Sequence, residues 1–150
     1  MITRDIPLDS MQATRALGQR LSEALHVGDA LLLSGDLGAG KTELARAVIR
    51  ARAGQSIDVP SPTFNLVIPY ELGDLLITHF DLYRLEDPDD VLELGFADAL
   101  DDGSVIVEWP DRLGDLTPPE ALRIELTAAS DRRLARVSGP AAIVERFLGT

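Results

Sequence analysis

The residues with the clearest chemical meaning are Gly35-Asp36-Leu37-Gly38-Ala39-Gly40-Lys41-Thr42, which satisfy the spacing G-x-x-x-x-G-K-[ST]. A loop of this kind cradles a polyphosphate. Its glycines let successive backbone N–H groups turn inward around phosphate oxygens, and the helix that follows adds its positive N-terminal end. In this arrangement the lysine reaches the β- and γ-phosphates and the threonine hydroxyl ligates Mg²⁺. Gly35, Leu37, Gly38, Ala39, Gly40, Lys41 and Thr42 are therefore the expected nucleotide-binding residues, with ATP and Mg²⁺ the expected cofactors. An apolar strand at residues 30–33 enters the loop and a helix-forming stretch at 42–53 leaves it, as the mechanism requires. Composition supplies a second sign. Of 14 basic residues 13 are arginine, and the one lysine is Lys41. A compact ammonium suits the space between phosphates where a planar guanidinium does not.

A nucleotide-bound Mg²⁺ also takes a carboxylate from the C-terminal end of a strand. Two acids stand in such places. Glu108 closes the apolar run Val105-Ile106-Val107, and Asp81 closes residues 75–80. One would hold the metal and the other would position water; the pattern does not say which does which. Thr63, in the constrained segment Ser61-Pro62-Thr63-Phe64, lies where many such proteins carry a switch that feels the γ-phosphate. His79, in the middle of a strand, reads as a core or hydrogen-bonded histidine rather than a catalyst. Trp109 reads as packing, with a lesser alternative of lining the site.

The elements that must position these groups follow from periodicity and turn chemistry. Residues 2–8 read as a short strand. Ser10 can cap a helix whose apolar face carries Ala13, Leu17, Leu21 and Ala24. Gly54 closes the helix after the loop. Residues 64–71 and 75–80 form a hairpin around Leu72-Gly73-Asp74, and residues 121–128 and 133–138 form a second. Asp87-Pro88 opens a helix through Leu94, a short helical turn follows at 96–100, residues 104–108 are a buried strand stopped by Pro110, and 140–148 is a terminal helix. Strands alternating with helices early, then hairpins, predict an α/β sheet of mixed direction, of the P-loop NTPase type, with flanking helices. With no repeat, linker or low-complexity tract, residues 1–150 are expected to form a single domain.

Charge narrows the partners. Residues 81–120 hold 13 acids against Arg84 and Arg112, so the whole net charge of −11 lies there. Such a chain is poorly built to hold a nucleic-acid backbone by itself, which needs clustered Lys and Arg. The acidic stretch reads as a solvated face or as a docking surface for a basic protein. No apolar run approaches the ~20 residues of a membrane span. Residues 1–9 lack an apolar stretch of signal-peptide length, and there are no cysteines, so a cytoplasmic location is expected.

GDLGAGKTE, SPTFNLVIPY, HFDLYRL and VIVEWP, in this order and spacing, resemble the TsaE family, from about Ile6 through the last hairpin. Those are small bacterial ATPase subunits that support threonylcarbamoylation of the tRNA adenosine next to the anticodon. The loop is shared by many families; the HxDxYRL and EWP blocks are far more specific. The resemblance implies that Thr42 and Glu108 are the Mg²⁺ ligands, that Asp81 is the acid needed for hydrolysis and that Thr63 is the switch. Together with Lys41, Asp81 and Thr63 make up the catalytic set. It also implies that the base packs near residues 11–14, Met11 included, with Arg133 nearby. The implied partners are the TsaD and TsaB subunits, with tRNA reached only through them. One departure is Glu43, where the family commonly has a second threonine. It puts a carboxylate in the first helical turn, favourable toward the helix dipole but close to a triphosphate.

Three other functions compete, one of them a pure binding module that holds nucleotide without turning it over, against which Asp81 and Glu108 argue. A small-molecule P-loop kinase would want an arginine-bearing lid, and no Arg-rich loop stands between the helices. A guanine-nucleotide switch would carry Asn-Lys-x-Asp, yet Asn65 and Lys41 are the only asparagine and lysine and lie far apart.

Overall fold

The computed structural model describes residues 1–36, 38–62, 66–129 and 132–149. Along the chain run β1 (Ile2–Pro7), α1 (Met11–Ala24), β2 (Ala30–Gly35), α2 (Lys41–Ala53), β3 (Val67–Leu72) and β4 (Leu75–Asp81). There follow α3 (Asp89–Glu93), α4 (Phe96–Asp102), β5 (Ser104–Glu108), a 3₁₀ helix (Pro110–Leu116), β6 (Leu122–Ala129), β7 (Arg132–Gly139) and α5 (Ala141–Leu148). The strands make one sheet in the order β1-β7-β6-β2-β5-β4-β3. β6, β2, β5 and β4 are parallel neighbours, while β3 on β4 and the β6–β7–β1 succession are antiparallel. This is the mixed sheet with flanking helices that the order of elements predicts.

Alternation along the strands makes two apolar layers. Leu31, Leu33, Ile77, Ile106 and Ile124 pack with α1, α2 and α5, whereas Leu32, Phe80, Val105 and Val107 pack with Val91, Phe96 and Leu113 of the short helices. A strand buried on both faces needs a continuous apolar run, which is why β2 reads Ala-Leu-Leu-Leu. α1 begins where Ser10 Oγ accepts from the Ala13 N–H at 3.1 Å, a cap worth about 1 kcal/mol. Its Leu17 and Leu21 are buried, and Gly18 lets it approach α2 closely: a Cβ there would lie 2.5 Å from Ala47 Cβ.

The structure adjusts three expectations. The β3–β4 turn is tighter than expected, since Leu72 pairs with Leu75 and only Gly73 and Asp74 lie between. α3 starts at Asp89 rather than Asp87, because the Asp87 carboxylate accepts from the Asp89 N–H at 3.0 Å and serves as a turn residue. Finally, the 3₁₀ helix after Pro110 has no counterpart in the sequence reading; a run of seven residues is too short to show a helical period. No helix among the described residues is long and apolar enough to cross a membrane.

Candidate functional site

Because β2, β5 and β4 run parallel, their C-terminal ends meet at one rim of the sheet. Leu33 pairs with Glu108, and Glu108 with Asp81. In-register neighbours point to the same face, here the face of Ile77 and Ile106, beneath α2. The two acids picked out by their strand-end positions are thus brought side by side. The loop joins β2 to α2 directly above them. Gly35 must lack a side chain, since a Cβ would sit 2.4 Å from the Leu126 carbonyl oxygen. Gly40 caps α2 at φ 104°, a left-handed conformation open to glycine.

Lys41 is nearly buried and folds back over the loop. Its Nζ donates to the carbonyls of Gly35 at 2.6 Å and Asp36 at 2.9 Å, and lies 4.5 Å from the centre of the Trp109 ring. Burial lowers the pKa of its ammonium below the usual lysine range, with the carboxylates of Glu108, Asp81 and Asp36 opposing that shift. Such an ammonium gains from any further anion that enters beside it. Trp109 itself holds φ 60°, a conformation costly for a bulky residue and retained here beside the loop lysine.

Glu108 is 2% exposed and has both oxygens engaged. Thr42 Oγ1 donates to Oε1 at 2.8 Å, and His79 Nε2 stands 2.7 Å from Oε2. Asp81, 5% exposed, accepts from the Tyr83 N–H at 3.1 Å, and its own N–H donates to the Leu66 carbonyl at 2.9 Å. Above these groups opens a cleft of about 400 Å³, walled by the loop and by Tyr83, Trp109 and Arg133. The Tyr83 and Trp109 rings lie 5.0 Å apart. Arg133, from β7, comes beside Gly40 at the loop and not beside residues 11–14, where the resemblance implied it. Met11 lies instead in an adjoining groove of about 280 Å³ between α1 and α2, with Thr14 and Gln55. Glu43 borders both spaces, and its carboxylate pairs with Arg46 at 2.8 Å. Leu37 and Thr63 lie outside the described residues.

Sequence reasoning gave Tyr83 no role of its own; it read His79 as a core or hydrogen-bonded histidine, which the structure bears out, without naming Glu108 as its partner. The signal available for both was their place around Asp81, at i−2 and i+2. Along a strand such residues share a face, which brings His79 to Glu108; Tyr83 stands beyond the strand's end.

Among the described residues no group of three or more His, Cys, Asp and Glu is arranged to hold a metal ion. The donors present are one hydroxyl and one carboxylate in hydrogen-bond contact, with a second carboxylate on the next strand. This suits Mg²⁺, a hard cation that keeps several waters and takes one or two carboxylates along with phosphate oxygens. It would not suit a metal needing a full protein cage.

The family model for the threonylcarbamoyl adenosine biosynthesis protein TsaE matches residues 8–136. Proteins named tRNA threonylcarbamoyladenosine biosynthesis protein TsaE are similar over most of the chain. The one from Rickettsia conorii is 37% identical, with 84% of this chain and 72% of that one covered. The one from Mycobacterium leprae is 38% identical, with 85% of each covered. The one from Haemophilus influenzae is 34% identical, with 88% and 85% covered. Among solved structures, that of Bacillus subtilis YdiB matches with a TM-score of 0.77 and 25% identity, covering 97% of this chain and 89% of that one.

Proposed function

The chain belongs to the TsaE family of threonylcarbamoyl adenosine biosynthesis proteins, and from that premise we propose that it is the ATP-binding and ATP-hydrolysing accessory subunit of the machinery that modifies the tRNA adenosine next to the anticodon. The observation that carries the reading is the contact of Thr42 Oγ1 with Glu108 Oε1 at 2.8 Å, beneath a loop of phosphate-binding spacing and beside Asp81.

In this reading the backbone N–H groups of Gly35, Leu37, Gly38, Ala39 and Gly40 surround the phosphates, and Lys41 turns from its two carbonyl partners to phosphate oxygens. Thr42 and Glu108 hold Mg²⁺, which when bound neutralises charge on the β- and γ-phosphates. Asp81 orients and accepts a proton from the attacking water, which lets water displace the γ-phosphoryl group with ADP leaving. Thr63 senses that group. Arg133 lies within reach of the phosphates, and Met11 packs near the base. These site roles rest on the loop spacing and on the resemblance.

Hydrolysis is slow in the isolated chain and is raised by the TsaD and TsaB subunits, with tRNA engaged only through them, in the cytoplasm. All 150 residues act as one ATPase domain. The test is the steady-state rate of ATP hydrolysis against added TsaD and TsaB, repeated with Thr63→Ala. Stimulation in the wild type that Thr63→Ala blunts supports the accessory role. Absence of stimulation removes it, and phosphorylation of a small molecule would favour the kinase alternative.

A further inference from the structure

His79 is fully buried on the face of the sheet that α2 covers. Its in-register neighbours are Ile68 on β3 and Ile106 on β5, so the ring sits in an apolar layer that an aliphatic side chain could fill. An imidazole there gives up its hydration, and a buried polar group is costly unless hydrogen bonds replace water. The ring recovers only part of that cost. Nδ1 has no hydrogen-bond partner among the described residues, and the contact of Nε2 with Glu108 Oε2 at 2.7 Å is the one that offsets its burial.

That contact completes a clamp. Thr42 takes one Glu108 oxygen and His79 takes the other, from elements 66 and 29 residues away in sequence. With a donor on each oxygen the carboxylate plane cannot turn about its last torsion, and each oxygen keeps a lone pair for another ligand. A carboxylate has no proton to give, so the ring donates: the tautomer that satisfies the contact carries its proton on Nε2 and leaves Nδ1 bare.

We propose that His79 is a positioning residue, whose Nε2–H holds the Glu108 carboxylate in the orientation it needs to receive a nucleotide-bound divalent cation. The inference rests on the function proposed above and adds to it a residue that does not itself touch the nucleotide or the cation. Loss of such an outer partner typically lowers metal affinity by about 10–100-fold.

The test titrates Mg²⁺ against binding of a fluorescent ATP analogue for wild type, His79→Leu and His79→Gln, with thermal unfolding of each. Leucine fills the apolar site without a donor, whereas the glutamine amide N–H reaches about as far as Nε2. His79→Leu is expected to raise the Mg²⁺ midpoint by about tenfold or more. His79→Gln should stay within about threefold of wild type. An unchanged midpoint in His79→Leu overturns the inference. So does equal impairment of both variants with a lowered unfolding temperature, which would make the ring a matter of shape. Absence of Mg²⁺-dependent nucleotide binding in the wild type would instead overturn the proposed function. The clamp is then still open to ¹⁵N NMR of the imidazole, with His26→Gln removing the other histidine. A ring protonated on Nε2 supports it, and a ring protonated on Nδ1 overturns it with no nucleotide present.

Discussion

The two faces of the sheet are built differently. One is covered by α1 and α2, helices of 14 and 13 residues with Leu17, Leu21, Leu44 and Val48 buried between them and the strands. The other is covered by α3, α4 and the 3₁₀ helix, of 5, 7 and 7 residues, held by a few anchors such as the edge-on pair Phe80–Phe96 at 5.5 Å. The acids divide the same way. Of the 13 in residues 81–120, Asp81 and Glu108 turn to the long-helix face and are buried; the others are exposed. The chemistry needs groups held to fractions of an ångström, and long packed helices supply that. A docking face would need only exposed charge, which short helices can present. A single acidic stretch in the chain thus becomes two populations in space.

The largest effect should come from the long-helix face. Lys41→Ala is expected to cut ATP hydrolysis by about 10²–10³-fold, because it removes a preorganised charge at the transferring group. Its unfolding temperature should not fall, since a buried ammonium is removed. More than about a third of wild-type activity in that variant would detach the loop from the chemistry.

The two buried acids should separate next. Asp81→Ala should lower turnover by about 10²-fold or more while leaving the Mg²⁺ midpoint of nucleotide binding in place. Glu108→Ala should move that midpoint. The reverse pattern in Mg²⁺ titrations would exchange their roles.

Packing gives a smaller contrast between the faces. Gly18→Val drives side-chain atoms into Ala47 and should destabilise by about 1–3 kcal/mol in urea unfolding. Asp98→Ala, exposed on α4, should change stability by no more than about 0.5 kcal/mol. Equal effects would erase the difference in rigidity. The same short-helix face tests docking: Asp89→Lys with Asp90→Lys on α3 should leave the basal ATPase rate alone and weaken stimulation by TsaD and TsaB. The wild-type chain by itself should bind tRNA with worse than micromolar affinity at physiological salt in filter assays, as too little positive charge opposes the acids.

The smallest effect lies at the far edge of the sheet. There Asp5 and Arg136, directly opposite on β1 and β7, pair at 2.9 Å. The Arg136 hydrogen bond holds the Asp5 carboxyl below its usual pKa, with burial opposing it and the charge of Arg136 adding to it. A lowered folded pKa means the pair supports the fold above the unfolded pKa of Asp5, and that support fades as pH falls through the folded value. Compared with Asp5→Asn, the wild type should show a slight advantage near neutral pH that vanishes in strong acid and in high salt. Unfolding temperatures over a pH series would check this.

What could be read directly from the chain was local. The loop spacing, the lone lysine and the two acids closing apolar strands lie within a few residues of what defines them, and backbone chemistry and period-2 alternation act over that range. The helix through Leu94 was misplaced by two residues at its start because Asp87 bonds to its own neighbour's N–H, a choice that propensity does not settle. Other features needed the assembled sheet. That Glu108 meets Thr42 rather than Asp81 meeting it depends on where β5 stands beside β2. That His79 reaches Glu108, Trp109 covers Lys41 and Arg133 arrives beside Gly40 depends on strand order and register. Register is decided by burying one face of every strand at once, so no local segment contains it. The sequence by itself determined which groups were able to do chemistry; the tertiary structure decided which of them touch.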